Sequence, residues 1–149
     1  MAQNEIAVVR RWFEVVWNEG REELMEELAA ADVILHGIGG PNQVMRGIAA
    51  FKPFYRTLRG AFPDLRITVE EVIGERDIVA LRWSAVMTHT GGDLGFAPTD
   101  KRLAITGMSF ARVRGGKIVE GWDNWDMMGL MNQIGQTPHA EVVPLVEPG

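Results

Sequence analysis

The stretch that decides the fold runs from Leu103 to Met128, LAITGMSFARVRGGKIVEGWDNWDMM. Two β-rich runs flank Gly115-Gly116, and adjacent glycines tolerate the φ > 0 that tight hairpin turns need. The run after the turn carries a carboxylate, Asp123, flanked by Trp122 and Trp125. Ionised carboxylates are normally solvated, so an acid among indoles either faces water on an edge strand or is held in a pocket. Register separates the two. A two-residue turn would place Asp123 opposite Met108, on the face of Phe110. A three-residue turn with a bulge would place it opposite Ser109, with Gly107 and Ala111 on its face. One residue of slip swaps every side chain to the other face. The second register surrounds the acid with small residues and gathers Met108, Phe110 and Trp122 on the other side, so it predicts a cavity on one face and a packing surface on the other.

Upstream, Asp77 to Thr90 alternates Val79, Leu81, Trp83, Ala85, Met87 and His89 onto one face, a strand signature, and Leu65 to Ile73 reads as a further strand. A loop rich in Gly, Pro and Asp, Gly91 to Lys101, leads into the hairpin. The first third is helical. Asn4 is suited to cap a helix with Glu5 in its first turn. Ile6, Val9, Phe13, Val16 and Trp17 form one apolar stripe, and Val8, Trp12 and Val15 a second, so that helix is covered on more than one side. Asn18 and Gly20 suit its end. A short second helix is expected from Arg21 to about Ala30, then a brief strand from Asp32 to Ile38 containing His36, broken by Gly39-Gly40-Pro41-Asn42. A third helix begins near Gly47 and presents Ile48, Phe51, Phe54, Tyr55 and Leu58, with Pro53 expected to kink or restart it. Helices first and strands afterward predict an α+β fold, three N-terminal helices on a mostly antiparallel sheet. Residues 1–136 form one domain, followed by an extended C-terminal tail, 137–149, that carries three prolines.

The chain has 149 residues, 46% hydrophobic and 23% charged, with no cysteine and a net charge of −5. That length buries a core without staples. The missing cysteines exclude disulfides, thiol nucleophiles and thiolate metal sites and suit a reducing compartment. Net negative charge without a basic stripe argues against nucleic acid as a partner. The N-terminus, with Glu5, Arg10 and Arg11 among its apolar residues, does not read as a signal peptide, and no apolar run reaches membrane-spanning length. The expectation is a soluble, cytoplasmic protein with neither nucleic acid nor membrane as partner.

The element order and a set of ordered segments resemble the cone-shaped α+β barrel of the nuclear transport factor 2 superfamily, and within it the SnoaL-like polyketide cyclases. The segments are Trp17-Asn18-Glu19-Gly20, Phe62-Pro63-Asp64-Leu65, Thr88-His89-Thr90-Gly91, Gly95-Phe96-Ala97-Pro98-Thr99, and Gly116-Lys117-Ile118-Val119-Glu120 leading into Trp122-Asp123 and Asp126. They span roughly residues 5 to 136. The resemblance implies a strand Asp acting as acid/base in an intramolecular aldol condensation, and that position matches Asp123. It also implies a histidine bonded to that Asp, where this chain has Ser109, and a glutamine two residues earlier, where it has Gly107. Both departures should enlarge the pocket and remove the group that orients the acid. His36 falls at a polar pocket position of the family and His89 at a histidine of its loop.

The residue inventory favours the same chemistry. The three histidines lie about fifty residues apart and offer no metal motif. No serine sits in a nucleophile elbow, and Lys52, Lys101 and Lys117 occupy polar or turn positions unsuited to a Schiff base. General acid–base catalysis is left, with no cofactor or metal expected. A carboxylate in an apolar pocket has its pKa raised by desolvation, which moves it toward accepting a proton from carbon and returning it. The expected catalytic groups are Asp123, with His36 and His89 as hydrogen-bond donors to a substrate oxygen. The expected ligand contacts are Trp17, Phe54, Trp83, Ser109 and Trp125, an aromatic wall for a small apolar or aromatic, polyketide-like molecule. The plain alternatives are core packing for the aromatics and histidines, and a cap or surface role for Asp123 and Asp126. Two other functions compete: a non-catalytic ligand-binding protein, and an epoxide hydrolase of the same fold needing an Asp-Arg-Asp set, for which Arg82 and Arg112 lie on the wrong face. The apolar outer face predicts a homodimer.

Overall fold

A computed structural model of the chain describes residues 2–40 and 42–135; the tail expected at 137–149 lies outside them. Six strands form one mixed sheet in the order β2-β1-β6-β5-β4-β3. The strands are β1 (Ala29–His36), β2 (Val44–Arg46), β3 (Arg66–Glu75), β4 (Ile78–Thr88), β5 (Arg102–Arg114) and β6 (Lys117–Trp125). Neighbours pair antiparallel except β1 and β6, which run parallel. The expected alternation on β4 holds, with Val79, Leu81, Trp83, Ala85 and Met87 buried on the inner face and His89 continuing the series just past the strand. The short edge strand β2 escapes sequence reading because three residues are too few to show a period.

The hairpin pairs Ser109 with Asp123, the register expected, but reaches it by a different route. Gly115 and Gly116 have φ of 60° and 78° and form a two-residue turn between Arg114 and Lys117. Such a turn with both central residues left-handed matches strand twist and strongly favours glycine. The extra residue is Val119: Val113 faces Ile118 while Arg112 faces Glu120. A bulge on the strand, not a longer turn, therefore shifts the register by one and turns Asp123 inward.

The helices cover the inner face. Helix α1 (Gln3–Arg11) starts one residue before the expected Asn4 cap, with Ala2 at its N-cap. It continues as a π-helical turn, Trp12–Trp17, in which Trp12, Phe13, Val16 and Trp17 are all buried. The wider turn accommodates an extra residue, which explains how both apolar stripes reach the core. A 3-10 turn (Glu22–Leu24) and α2 (Met25–Leu28) follow, and the chain enters β1 at Ala29, earlier than expected. Helix α3 (Ile48–Ala61) runs unbroken through Pro53. Pro53 and Ala49, the residue whose carbonyl it leaves without an amide partner, are both exposed, so water can take the missing bond. A short helix α4 (Met127–Gln133), not anticipated from the sequence, is capped by Asp126, whose carboxylate accepts the Gly129 amide at 2.8 Å. That assigns Asp126 to a structural cap.

Two polar clamps tie the helices to the sheet and to each other. Asn18 donates to the Ile67 carbonyl at 2.8 Å and accepts the Ile67 amide at 2.6 Å. Tyr55 on α3 donates its hydroxyl to the Val16 carbonyl at 2.6 Å. Because Asn18 satisfies both backbone groups of Ile67 where β3 meets the helix, Asn18→Ala should destabilise the protein by about 1–3 kcal/mol, read by denaturant unfolding, with little change in secondary structure by circular dichroism.

Candidate active site

Between the helices and the inner sheet face lies a cavity of about 80 Å³. Trp12, Phe13 and Trp17 reach it from the π-helical turn, Phe54 and Leu58 from α3, Trp83 and Met87 from β4, Asp123 and Trp125 from β6, and Leu130 from α4. Asp123 is the one titratable residue in this lining. The sequence singled out Trp17, Phe54, Trp83, Asp123 and Trp125, and the fold brings them together here. It did not single out Trp12 and Phe13, although the second apolar stripe of the first helix carried that signal, nor Leu130, which lies on the unanticipated α4.

Asp123 sits at the end of a short hydrogen-bond relay. The Trp83 indole N–H donates to Ser109 Oγ at 3.1 Å, and the Ser109 hydroxyl donates to Asp123 Oδ1 at 2.6 Å. The Trp83 ring lies over Gly107, where a Cβ would come within 2.2 Å of its Cζ2, and packs on Phe13 from the other side, ring centroids 6.2 Å apart. The volume expected to open at Gly107 and Ser109 is thus filled by the indole, and the acid is oriented after all, by a serine. Burial pushes the Asp123 carboxyl up to about 6, and the Ser109 hydrogen bond opposes that rise without cancelling it.

The histidines do not join this group. His36 pairs laterally with Trp122 across the parallel β1–β6 contact, so it shares the face of Trp122 and not that of Asp123. There it bonds Glu120 Oε2 through Nε2 at 2.7 Å and stacks on the Trp122 ring, centroids 5.2 Å apart and planes 9° apart. His89 is fully buried and accepts the Thr99 amide on Nδ1 at 3.2 Å, which leaves its proton on Nε2. That nitrogen has no hydrogen-bond partner among the described residues. The His89 ring packs on Phe62 and Phe96, and Phe62 in turn lines the cavity, so His89 stands beside the cavity wall and not in it. Trp125 donates its indole N–H to the Ile38 carbonyl at 2.9 Å and ties the loop after β1 to the site.

The outer face is different in kind. Met108 and Phe110 are 64% and 53% exposed, and Trp122 is only half-buried despite its contact with His36. Arg82 pairs with Glu71, and Arg112 and Arg114 share Asp77, so neither candidate arginine faces Asp123. Among the described residues no three His, Asp or Glu side chains converge on a possible metal position, and no helix is long and apolar enough to cross a membrane.

A six-stranded mixed sheet under N-terminal helices, enclosing an apolar cavity with one acid, defines the class. The model of the SnoaL-like polyketide cyclase family matches residues 7–134, and the protein belongs to that family. AclR of Streptomyces galilaeus, a candidate hydroxylase, superposes with a TM-score of 0.80 at 25% identity, over 95% of this chain and 91% of its own. IdmH of Streptomyces antibioticus, a candidate polyketide cyclase, gives 0.77 at 28% identity, over 88% and 98%. A candidate polyketide cyclase from Acidithiobacillus ferrooxidans gives 0.78 at 25%, over 93% and 99%. No curated protein matches the sequence.

The raised carboxyl has a consequence for stability. Below about pH 4 Asp123 is protonated in both folded and unfolded chains, and between about pH 4 and 6 the unfolded chain ionises it first, so stability falls as pH rises through that window. Replacing the acid by its neutral isostere removes the loss. Asp123→Asn should raise the unfolding free energy at pH 8 by on the order of 2 kcal/mol and leave it nearly unchanged at pH 3.5, measured by urea unfolding at both values.

Proposed function

We propose that the protein is an acid/base enzyme of the polyketide cyclase type, in which Asp123 moves a proton on and off carbon within the apolar cavity. The observation that carries this reading is a carboxylate whose Oδ1 is held by Ser109, whose Oδ2 has no hydrogen-bond partner among the described residues, and whose pKa is raised to about 6 by its surroundings. A general base works best when its pKa lies near the working pH. In the reaction envisaged, Asp123 takes a proton from a methylene between two carbonyls and the resulting enolate carbon bonds to a ketone carbon of the same molecule. The new alkoxide is then protonated by the acid form of Asp123, which restores the carboxylate. The neighbouring carbonyls delocalise the charge, so no cofactor is required by the chemistry. Isomerisation of such a substrate would use the first half of the same cycle.

The ligand class follows from the lining: aromatic rings and aliphatic side chains suit a small apolar or aromatic, polyketide-like molecule. At about 80 Å³ the cavity is below the roughly 300 Å³ typical of ligand pockets, while a wider groove of about 1430 Å³ is lined in part by the same Trp83, Asp123 and Trp125. A second reading, a ligand-binding protein without catalysis, is favoured by one feature: among the described residues, Asp123 is the one titratable group that lines the cavity. The two readings separate on one experiment. Asp123→Asn should cut turnover, or deuterium exchange into a 1,3-diketone probe, by about 10² to 10⁴ while leaving probe affinity within a few-fold. Wild-type exchange should lose activity as pH falls below about 6. Exchange that persists undiminished in Asp123→Asn would leave the binding reading.

We also propose that a second copy of the chain covers the outer face, because Met108 and Phe110 are strongly exposed beside Trp122 and contiguous apolar surface of this kind usually marks an interface. Sedimentation at micromolar concentration should show a dimer, and the pair Met108→Glu with Phe110→Glu should convert it to a folded monomer. A wild-type monomer would remove the proposal.

A further inference from the structure

We propose that Trp83 is a positioning residue for the Asp123 base: its indole N–H, acting through Ser109, decides which carboxylate oxygen is free to take the substrate's proton. This deepens the reading of Asp123 as the base and rests on it.

The direction of the two hydrogen bonds sets the role of each carboxylate oxygen. An indole nitrogen can only donate, so the 3.1 Å contact from Trp83 Nε1 requires Ser109 Oγ to accept. The serine proton must then point elsewhere, and the group placed to receive it is Asp123 Oδ1 at 2.6 Å. A hydroxyl held in that sense favours the ionised carboxylate and cannot readily accept a proton back from Oδ1. The carboxyl proton, when present, therefore belongs on Oδ2. Gly121 lies beside that oxygen and has no side chain; a Cβ there would stand 3.9 Å from Oδ2. The relay thus splits the carboxylate into an anchored oxygen and a working one, and fixes the geometry of proton transfer without a second titratable group.

The arrangement depends on three residues at once. Gly107 lets the indole lie flat across β5, since a Cβ would sit inside its ring, and Phe13 holds the ring from above. Ser109 is short enough to fit between indole and carboxylate. A side chain at 107, such as the glutamine that the family resemblance leads one to expect, would collide with the indole. Of the ionisable residues that line a wider groove together with Asp123, His36 bonds Glu120, Arg82 pairs with Glu71, Glu70 accepts the Ser84 hydroxyl and Asp126 caps α4. The side chains facing Asp123 from β4, β5, the π-helical turn, α3 and α4 are Trp83, Ser109, Phe13, Phe54, Leu58 and Leu130. On β6 itself Glu120 is engaged with His36 on the opposite face and Asp126 caps α4.

Nuclear magnetic resonance of the whole protein tests this directly. In the wild type, the Trp83 indole N–H resonance should move with pH at the same midpoint as the Asp123 carboxyl carbon, near 6, and that movement should vanish in Asp123→Asn and in Ser109→Ala. Trp83→Phe removes the donor and keeps most of the ring. It should raise the Asp123 midpoint by about half a unit, roughly threefold in proton affinity, and Ser109→Ala should raise it by about one unit. Because Trp83 acts only through Ser109, adding Trp83→Phe to Ser109→Ala should produce no further shift, whereas a packing role would shift both backgrounds alike. An indole resonance indifferent to Asp123, an unmoved midpoint in Trp83→Phe, or additive shifts in the double variant would overturn the proposal. None of these readings needs turnover, so failure of Asp123 as the base would show separately, as full exchange activity in Asp123→Asn.

Discussion

Pairing of Ser109 with Asp123 across the β5–β6 hairpin is the constraint on which the site depends. The pairing exists because Val119 bulges out of β6, three residues past the turn. Without the bulge the two-residue turn would carry Asp123 to the face of Met108 and Phe110, where it would meet water and lose any reason for a raised pKa. The bulge also brings Gly121 onto the inner face next to the carboxylate and leaves Glu120 to the outer one. A single extra residue thus sorts the two acids of β6 into different environments: Glu120 into a solvated pair with His36, Asp123 into an apolar cavity.

That sorting costs stability. Among the described residues one hydrogen bond, from Ser109, compensates the carboxylate for the water it loses, and ionisation is correspondingly disfavoured. Proteins tolerate such a penalty where an acid must take up and release protons near neutral pH. The rest of the structure supplies the offset. Aromatic residues from the π-helical turn and α3 pack against one another, with Trp17 and Tyr55 rings 4.8 Å apart and Trp12 and Phe51 5.3 Å apart. The Asn18 and Tyr55 clamps tie those helices to each other and to β3. The acid is thus set in an apolar frame of packed aromatic rings.

The two faces of the sheet divide the labour. The inner face holds the relay from Trp83 through Ser109 to Asp123. The outer face carries paired charges, Arg82 with Glu71 and Arg112 with Asp77, together with the exposed Met108 and Phe110. His36, placed by sequence likeness among the pocket residues, belongs to the outer face because β1 runs parallel to β6 and sets His36 beside Trp122. A parallel contact between strands far apart in the chain leaves no local trace, so the alternation within β1 could not reveal which face it would share.

By itself the sequence determined the α+β order of elements, the inward series from Val79 to His89, and the presence of a hairpin at Gly115-Gly116, because each follows from local periodicity or from the backbone freedom of glycine. It also held Asp123 apart as an acid among indoles, and the choice of small neighbours at Gly107, Ser109 and Ala111 was enough to pick the register. Tertiary structure alone decided the rest. It located the extra residue at Val119, kept α3 unbroken through Pro53, whose neighbour Ala49 is exposed, and moved His36 off the site and His89 behind Phe62. Above all it placed the Trp83 indole over Gly107, so that a gap read as an enlarged pocket became a filled one. The spacing of residues along one strand fixes which face a side chain takes, but what fills the space above a glycine depends on a neighbouring strand and on the helix packed against it.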